Sequence, residues 1–363
     1  LATAGWYTLM ASHGITSTSD HSYKTVMLKA YEALASVPDV PLRVGLYHMS
    51  IEQDSGDPLV THVPEDRLWK QGIKLWADGS PWVGTIAASF PYLDTPVVRT
   101  AQIPLGPAGE TMMNYDRLSL DKVLDHHASQ GWQITFHVNG DVGVDIVLDA
   151  YERALSTHGL LGTDHRWRVE HVGGARGDQF ERAARLGVGV SMSPFQFIYW
   201  GDLLDGQLFT SEIGGQWMRG GECFAAGAVT SFNNDGPVSP PIPLLNIQCM
   251  VTRRTLSGQV HGASQTISLD DAFRAHTVNA AHQLGRDHDL GSITAGKLAD
   301  FVQLSADPFT VDVEKLTEQV TVLGTWSGGR KVDTNAFTTQ VAALDPAPHK
   351  HLAKETVATK KCC

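Results

Sequence analysis

The chain has 363 residues, of which 42% are hydrophobic and 18% charged, and its formal net charge is −11. This composition is typical of a globular protein with one large domain, or one domain and an appendage. The negative charge argues against nucleic acid or an anionic membrane surface as a partner, since both attract clustered Lys and Arg. The sequence has no apolar run long enough to cross a bilayer. Its four cysteines form no disulfide framework or zinc knuckle, so a reducing, cytoplasmic location is expected.

The order of apolar runs predicts a parallel sheet with helices between its strands. A helix is predicted at residues 1–12 and another at 178–186, where Gly187 ends it. Seven short β-rich runs cover residues 15–19, 42–48, 73–77, 132–138, 167–172, 188–193 and 228–232. Strands that alternate with helices are typical of parallel sheets. Periodicity alone leaves two folds open: a (β/α)8 barrel that lacks one strand, or an open doubly wound sheet.

The residues that end these runs favour the barrel. Nearly every run ends in polar or ionisable side chains: Asp20, His21, His48, Asp78, His137, His171 and residues 233–235. A barrel brings the ends of all its strands to one site at its C-terminal face, whereas an open sheet scatters them. We therefore predict an α/β fold, a (β/α)8 TIM-like barrel over residues 1–290, with seven strands visible and the first missing.

Beyond residue 290 the pattern changes. A predicted helix at 269–284 is followed by short strands with glycine turns within 291–304 and 320–332. We expect residues 291–335 to form the C-terminal part of a small β-sandwich. Residues 336–363, which become rich in Pro, Lys and Thr, are expected to be a loose tail.

Two histidines end consecutive predicted strands. His137 lies in ITFHVNGD and His171 in RVEHVGG. A single histidine is more often a hydrogen-bonded core residue than a ligand. Two at equivalent positions on neighbouring strand ends favour a metal site, because neutral imidazole is the commonest metal ligand in proteins.

Two further residues extend this candidate site. Asp235 follows the last strand, where it either caps a turn or serves as a metal ligand and as the base that takes a proton from water. Lys74 lies inside an apolar strand, where lysine is seldom buried without a partner. It either reaches out to Asp78 or, because burial favours the neutral amine, takes up carbon dioxide to form a carbamate.

The order Lys74, His137, His171, Asp235 on successive strand ends resembles the metal-dependent amidohydrolase superfamily. Three stretches, KLWADGS (74–80), FHVNGD (136–141) and GSITAGKLADFV (291–302), are similar to its YtcJ-like branch, whose members include amide and N-formyl hydrolases. The resemblance covers residues 1–332, and the complete set of motifs in the correct order is its most specific feature.

The resemblance implies a role for each matching residue. Lys74 would be a carbamylated ligand that bridges two metals, and His137 and His171 would hold the second of these ions. Asp235 would bind the first ion and act as the general base. The expected cofactor is a divalent metal, one or two ions, with zinc as the default; manganese and iron suit the same donors.

Three more residues are predicted to contact substrate. Asp78 and Asp141 lie in the matching motifs, with loop capping as the alternative for both. Gln196 lies in an aromatic-rich stretch, residues 194–200, which would line the substrate pocket or belong to the core beneath it.

The chain departs from the family pattern in one respect. The family opens its barrel with a His-x-His pair on the first strand, and this sequence has such spacing only at His349 and His351, near its end. Because the sequence also starts within a predicted helix at Leu1, we expect a segment upstream that carries the missing strand.

These observations lead to three hypotheses. In the first, metal-bound hydroxide attacks a C–N bond, amide, N-formyl or related, of a small organic substrate, with Asp235 as general base. In the second, the same ligands serve an ester, lactone or phosphoester hydrolase. In the third, the chain is a catalytically disabled barrel that acts as a binding module. A homo-oligomer is compatible with each of them.

Overall fold

The computed structural model describes residues 2–344, and its main feature is one parallel sheet of seven strands. The strands are β1 (Ser17–Tyr23), β2 (Arg43–Met49), β3 (Leu68–Trp76), β4 (Gln133–Val138), β5 (Arg168–His171), β6 (Gly189–Met192) and β7 (Thr230–Phe232). They follow one another in chain order, and each pairs with the next. This order excludes a doubly wound sheet, whose strand order reverses at its centre. The sheet curls into a half-barrel, which confirms the predicted barrel-type fold and all seven predicted strands.

Helices surround this sheet. They are α1 (Ala2–Ser12), α2 (Leu28–Ser36), α3 (Pro96–Thr100), α4 (Arg117–Ala128), α5 (Asp141–Thr157), α6 (Gly177–Leu186), α7 (Pro194–Leu204), α8 (Gly220–Ala225), α9 (Pro243–Thr252), α10 (Leu269–His276), α11 (Val278–Gln283), α12 (Leu316–Gln319) and α13 (Thr334–Ala342). None of the helices between residues 2 and 344 combines the length and the apolar character needed to span a membrane.

Alternation along the strands separates an apolar outer layer from a polar interior. In β4, Ile134 and Phe136 are buried in the main hydrophobic core. Thr135, between them, donates from its hydroxyl to Glu170 of β5 at 2.7 Å. Since successive side chains point to opposite faces of a strand, His137 lies on the same face as Thr135. The polar face of the sheet therefore leads to the predicted site.

A small antiparallel sheet follows the barrel. It consists of β8 (Phe301–Leu304), β9 (Val322–Ser327) and β10 (Arg330–Lys331), in the order β10-β9-β8. The segment predicted to be part of a β-sandwich thus forms one three-stranded sheet among the described residues. The helix predicted at 269–284 is divided into α10 and α11 at Thr277, whose backbone is not helical (φ −124°, ψ −96°).

The prediction of a loose tail from residue 336 is wrong for its first part. Residues up to 342 belong to α13, which Asp333 caps by accepting from the N–H groups of Asn335 and Ala336. Phe337 is fully buried and stacks on Tyr7 of α1 with ring centroids 6.3 Å apart. Burial of this aromatic ring against another helix stabilises α13. Residues 345–363 of the predicted tail lie outside the described part of the chain.

Candidate functional site

The two predicted histidine ligands meet at the C-terminal ends of β4 and β5. The ring centroids of His137 and His171 are 4.4 Å apart, with an interplanar angle of 64°. Burial lowers the pKa of His137 well below its usual range, and the nearby His171 ring and Lys74 amine lower it further. Burial also lowers the pKa of His171 to about 3. Both rings are therefore neutral near pH 7, which is the form that binds metals.

Hydrogen bonds identify which nitrogen of each ring keeps a lone pair. His137 Nε2 lies 2.8 Å from the carbonyl oxygen of Gly79, which can only accept, so Nε2 carries the proton. His171 Nδ1 lies 2.7 Å from Ser193 Oγ, and that hydroxyl donates to Asn233 Oδ1 at 2.8 Å. Nδ1 of His171 is thus the protonated nitrogen. Nδ1 of His137 and Nε2 of His171 remain free to bind a metal, and their partners orient both rings.

Lys74 lies beside this pair on β3 and is 3% exposed. Burial lowers the pKa of its amine to about 8, and the charge of Arg168 acts in the same direction, while Glu170 and Asp235 oppose the shift. A substantial fraction of the amine is therefore neutral at mildly alkaline pH. Neutral amine is the form that reacts with carbon dioxide, so the chemistry predicted for Lys74 is available to it.

Asp235 follows β7 and takes a left-handed backbone conformation with φ of 48°. Such a conformation is uncommon for a residue other than glycine and is often found at functional sites. Burial raises the pKa of its carboxyl, whereas the nearby Lys74 amine and His137 ring lower it. Asp235 is exposed as a residue, and its carboxyl lies within the electrostatic field of Lys74 and His137.

These residues match a divalent metal in donor type. Two neutral imidazoles, a buried amine and a carboxylate are the donors that zinc, manganese and iron accept. Within residues 2–344, no three His, Cys, Asp or Glu side chains converge closely enough to form a ready metal-binding group. The structure therefore brings His137 and His171 together next to Lys74, with Asp235 outside direct contact.

Asp78, predicted to contact substrate, organises a loop. Its carboxylate is 1% exposed and accepts from the backbone N–H groups of Asn139 at 2.9 Å, Gly140 at 2.8 Å and Ala87 at 3.0 Å. Burial raises its pKa to about 7, although these backbone hydrogen bonds lower it. The geometry corresponds to the capping alternative, because these contacts join the loop after β3 to the turn after β4.

Asp141 has a similar structural position. It is 1% exposed and begins α5. Its carboxylate accepts from Ser89 N at 2.8 Å, from Ser89 Oγ at 2.6 Å and from Arg176 at 3.0 Å. Its oxygens thus connect the loops that follow β3 and β5. A negative charge in the first turn also stabilises the helix.

Gln196, the third predicted substrate contact, is 4% exposed in the first turn of α7. Its Nε2 donates to Asn139 Oδ1 at 3.2 Å, and its Oε1 accepts from Trp217 Nε1 at 3.0 Å. Both ends of the amide are bonded within the protein. This corresponds to the core alternative stated for the stretch 194–200.

A buried charge cluster below Lys74 was not predicted. Arg168 and Glu170 of β5 form an ion pair with both side chains 4% exposed, and the guanidinium of Arg168 lies 4.8 Å from the ring of Tyr47. Arg168 also lies 3.0 Å from Nε2 of His21. The sequence carries a signal for this pair, since two opposite charges two residues apart in an apolar strand point to the same face.

Comparison with known proteins identifies similar sequences over most of the chain. A family model described as "Amidohydrolase family" matches residues 6–333. "Protein LONG AFTER FAR-RED 3" of Arabidopsis thaliana is 30% identical over 272 residues, covering 73% of this chain and 43% of that protein. "Putative amidohydrolase YtcJ" of Bacillus subtilis (strain 168) is 25% identical over 311 residues, covering 80% and 52%. The resemblance to the YtcJ-like branch is thereby confirmed.

Two further matches concern chemistry and fold. "N-substituted formamide deformylase" of Arthrobacter pascens is 30% identical over 199 residues, covering 55% of this chain and 36% of that protein. The crystal structure of an uncharacterised metal-dependent hydrolase from Pyrococcus horikoshii OT3 superimposes with a TM-score of 0.66 at 25% identity, covering 83% and 58%. The chain spans about half the length, or less, of the curated relatives that it matches.

Proposed function

The chain belongs to the amidohydrolase family, and from this premise we propose that it acts in metal-dependent hydrolysis of a C–N bond, amide or N-formyl, in a small organic molecule. The observation that carries the proposal is the pair of neutral, oriented imidazoles of His137 and His171 beside the buried amine of Lys74. A strand-end position at the C-terminal face of a barrel-type sheet is where such enzymes place their chemistry.

Each residue is assigned a role that follows from its environment. His137 and His171 would hold a divalent ion through their lone-pair nitrogens, and Lys74, once carbamylated, would add a carboxylate-like donor. When bound, that ion supplies Lewis acidity that polarises the scissile carbonyl and makes water easier to deprotonate. Zinc is the proposed ion, since it accepts mixed nitrogen and oxygen donors.

Asp235 is proposed as the proton carrier. Burial raises the pKa of its carboxylate, which brings its proton affinity closer to that required of a base working near neutral pH. It would take a proton from the attacking water and deliver it to the leaving nitrogen. The alternative is that Asp235 only ligates the ion, in which case its removal lowers metal affinity and turnover together.

The N-formyl group is the preferred substrate feature. One relative with 30% identity is named a deformylase of N-substituted formamides, and this suggests a secondary formamide as the first compound to test. Ester and lactone hydrolysis is the second candidate reaction, because the same donor set can activate water toward those carbonyls.

A non-catalytic role is the competing class. It is favoured by the finding that residues 2–344 contain no converged group of three His, Cys, Asp or Glu side chains. Under this alternative the chain binds a ligand at the strand ends without turning it over.

A substrate panel separates these possibilities. The chain, loaded with zinc and bicarbonate, would be assayed against a secondary formamide, an acetamide and an ester with the same substituent, before and after chelation. We expect cleavage of the formamide that chelation abolishes and that Asp235→Asn lowers by at least about a hundredfold. Asp116→Asn, at an exposed helix cap, is the control and is expected to keep full activity. Preferential cleavage of the ester would support the second reaction, and no turnover of any compound despite bound metal would support the non-catalytic role.

A further inference from the structure

Trp217 contacts the segments that follow both candidate ligands. It lies in the irregular stretch between α7 and α8 and is 1% exposed. A Cβ atom at Gly173 would lie 2.4 Å from its indole, so the ring rests directly on the backbone two residues beyond His171. The next residue, Met218, donates its N–H to the Gly173 carbonyl at 3.0 Å. The close approach of this ring therefore explains Gly173 in the RVEHVGG motif.

The same ring begins a chain of hydrogen bonds to His137. An indole N–H can only donate, so Oε1 of Gln196 must face Trp217, at 3.0 Å. This leaves Gln196 Nε2 to donate to Asn139 Oδ1 at 3.2 Å. The amide of Asn139 is thus oriented so that Nδ2 donates to the Gly79 carbonyl at 2.9 Å. That carbonyl also accepts from His137 Nε2 at 2.8 Å.

The backbone after β5 requires such support. His171 and Val172 both have positive φ values, 72° and 50°. Non-glycine residues are uncommon in this region and persist only where surrounding structure holds them. The ring of Trp217 packs on the segment that follows, so its removal would release this turn and the His171 ring with it.

Trp217 is itself held firmly. The guanidinium of Arg253, 0% exposed, donates to the carbonyl oxygens of Trp217 at 2.8 Å, Met218 at 3.1 Å and Gly215 at 3.2 Å. Phe209 stacks on the indole with centroids 5.3 Å apart and an interplanar angle of 8°. The ring is therefore fixed in position and can orient the groups that it touches.

We propose that Trp217 is a positioning residue for the metal site: its N–H acts through Gln196 and Asn139 on His137, and its ring acts through Gly173 on His171. This inference rests on the proposed function, since it assumes that the two histidines bind a metal. It also assigns Gln196 a role in positioning His137, a proposed metal ligand, rather than in contacting substrate.

Trp217→Phe and Trp167→Phe form a matched pair of variants. Trp167 is also 1% exposed, and its indole N–H donates to a backbone carbonyl, that of Trp132, at 3.1 Å, but it lies before the N-terminal end of β5. Each substitution removes one indole N–H from a buried site. The affinity for Zn²⁺ would be measured by competition with a chromogenic chelator, and the free energy of unfolding by denaturant titration. We expect a comparable loss of stability in both variants.

The expected difference between the pair lies in the metal. Trp217→Phe should weaken Zn²⁺ binding about tenfold or more, as disruption of groups behind metal ligands does, while Trp167→Phe stays within about twofold of the parent chain. At saturating Zn²⁺, the KM of Trp217→Phe should be unchanged. Equal metal affinity in the two variants, or a raised KM with unchanged metal affinity, would overturn the inference.

A second variant and a metal-free measurement complete the test. Gln196→Leu removes the same connection without altering Trp217, and it should weaken Zn²⁺ binding in the same direction. In the metal-free chain, amide hydrogen exchange at residues 79–87 and 139–142 should be faster in Trp217→Phe than in the parent chain. Trp167→Phe should not increase exchange at these residues. Equal exchange in the two variants would overturn the inference. A parent chain that binds no Zn²⁺ would refute the proposed function instead, while the exchange comparison would still decide whether Trp217 holds these loops.

Discussion

Replacement of Lys74 by Met is predicted to stabilise the fold. Lys74 is 3% exposed, and burial lowers its pKa from the ordinary 10.5 to about 8 even though Glu170 and Asp235 raise it. A gap of about 2.5 pH units corresponds to about 3 kcal/mol of free energy that the fold loses by burying the charged amine. Met has a similar shape and no charge, so Lys74→Met removes this cost while giving up the proposed ligand.

The sign of the pH dependence follows from the lowered pKa. Below about pH 8 the Lys74 amine is protonated in both the folded and the unfolded chain, and the full free-energy cost of burying its charge is present. Between about pH 8 and 10.5 only the unfolded chain keeps it, so the parent protein becomes more stable as pH rises. The advantage of Lys74→Met should therefore fall from about 3 kcal/mol at pH 7 to about 1 kcal/mol at pH 9.5.

The assay is urea denaturation at these two pH values, in chelator and in buffer free of carbon dioxide. Lys70→Met is the control on the same strand. Burial also lowers the pKa of Lys70 to about 8, but its ammonium donates to the carbonyl oxygens of Ser55 at 2.6 Å and of Asp57. Lys70→Met leaves both carbonyls without this donor, so its gain in stability at pH 7 should be smaller than that of Lys74→Met. If Lys74→Met is less stable than the parent, or its advantage does not change with pH, the reasoning about its buried charge is refuted.

Three other substitutions test particular contacts. Ser193→Ala removes the acceptor of His171 Nδ1–H and should weaken Zn²⁺ binding about tenfold in chelator competition; unchanged affinity would show that the hydroxyl does not orient the ring. Gly140→Ala places a Cβ 2.0 Å from the carbonyl oxygen of Ala87 and should cost about 2 kcal/mol or more in denaturant titration; a neutral effect would mean that the turn can move. Arg253→Met leaves several backbone carbonyls without their donor and should cost at least about 3 kcal/mol; a melting temperature close to the parent's would contradict this.

The sequence predicts the sheet well because local pattern and burial agree there. Runs such as 132–138 combine β-branched and aromatic residues with an ionisable residue near the end, and β4 forms at nearly those bounds. Polar ends on successive strands distinguished a barrel from a doubly wound sheet, and the strand order agrees. The division of the helix at Thr277 is harder to predict, because no proline or glycine lies within residues 269–284 to mark it.

The hydrogen-bond partners of the three predicted substrate contacts could not be predicted from the sequence. Asp78, Asp141 and Gln196 have the residue types and positions of groups that line a cleft. Their hydrogen-bond partners come from loops distant along the chain, such as Arg176 and Trp217. No local pattern shows that those loops fold over the strand ends and occupy the polar atoms. The histidine pair could be predicted because adjacent parallel strands place it, without help from loops.

The helix at the end of the described chain was missed for a compositional reason. Residues after 344 are rich in Pro, Lys and Thr, which predicts a loose tail, whereas the segment before them has a different pattern. Phe337 and Val341 are four residues apart and both buried, which is helical spacing. The spacing of these two residues distinguishes α13 from the segment after it.

Metal stoichiometry tests the central claim most directly. The chain, purified without chelator and dialysed against zinc-free buffer, would be compared by elemental analysis with the His137→Ala/His171→Ala double variant, whose fold would be checked by circular dichroism. The account predicts at least one divalent ion for each parent chain and loss of that ion from the folded double variant. A parent chain without metal, or a double variant that retains it, would contradict the assignment of these two histidines as the centre of the site.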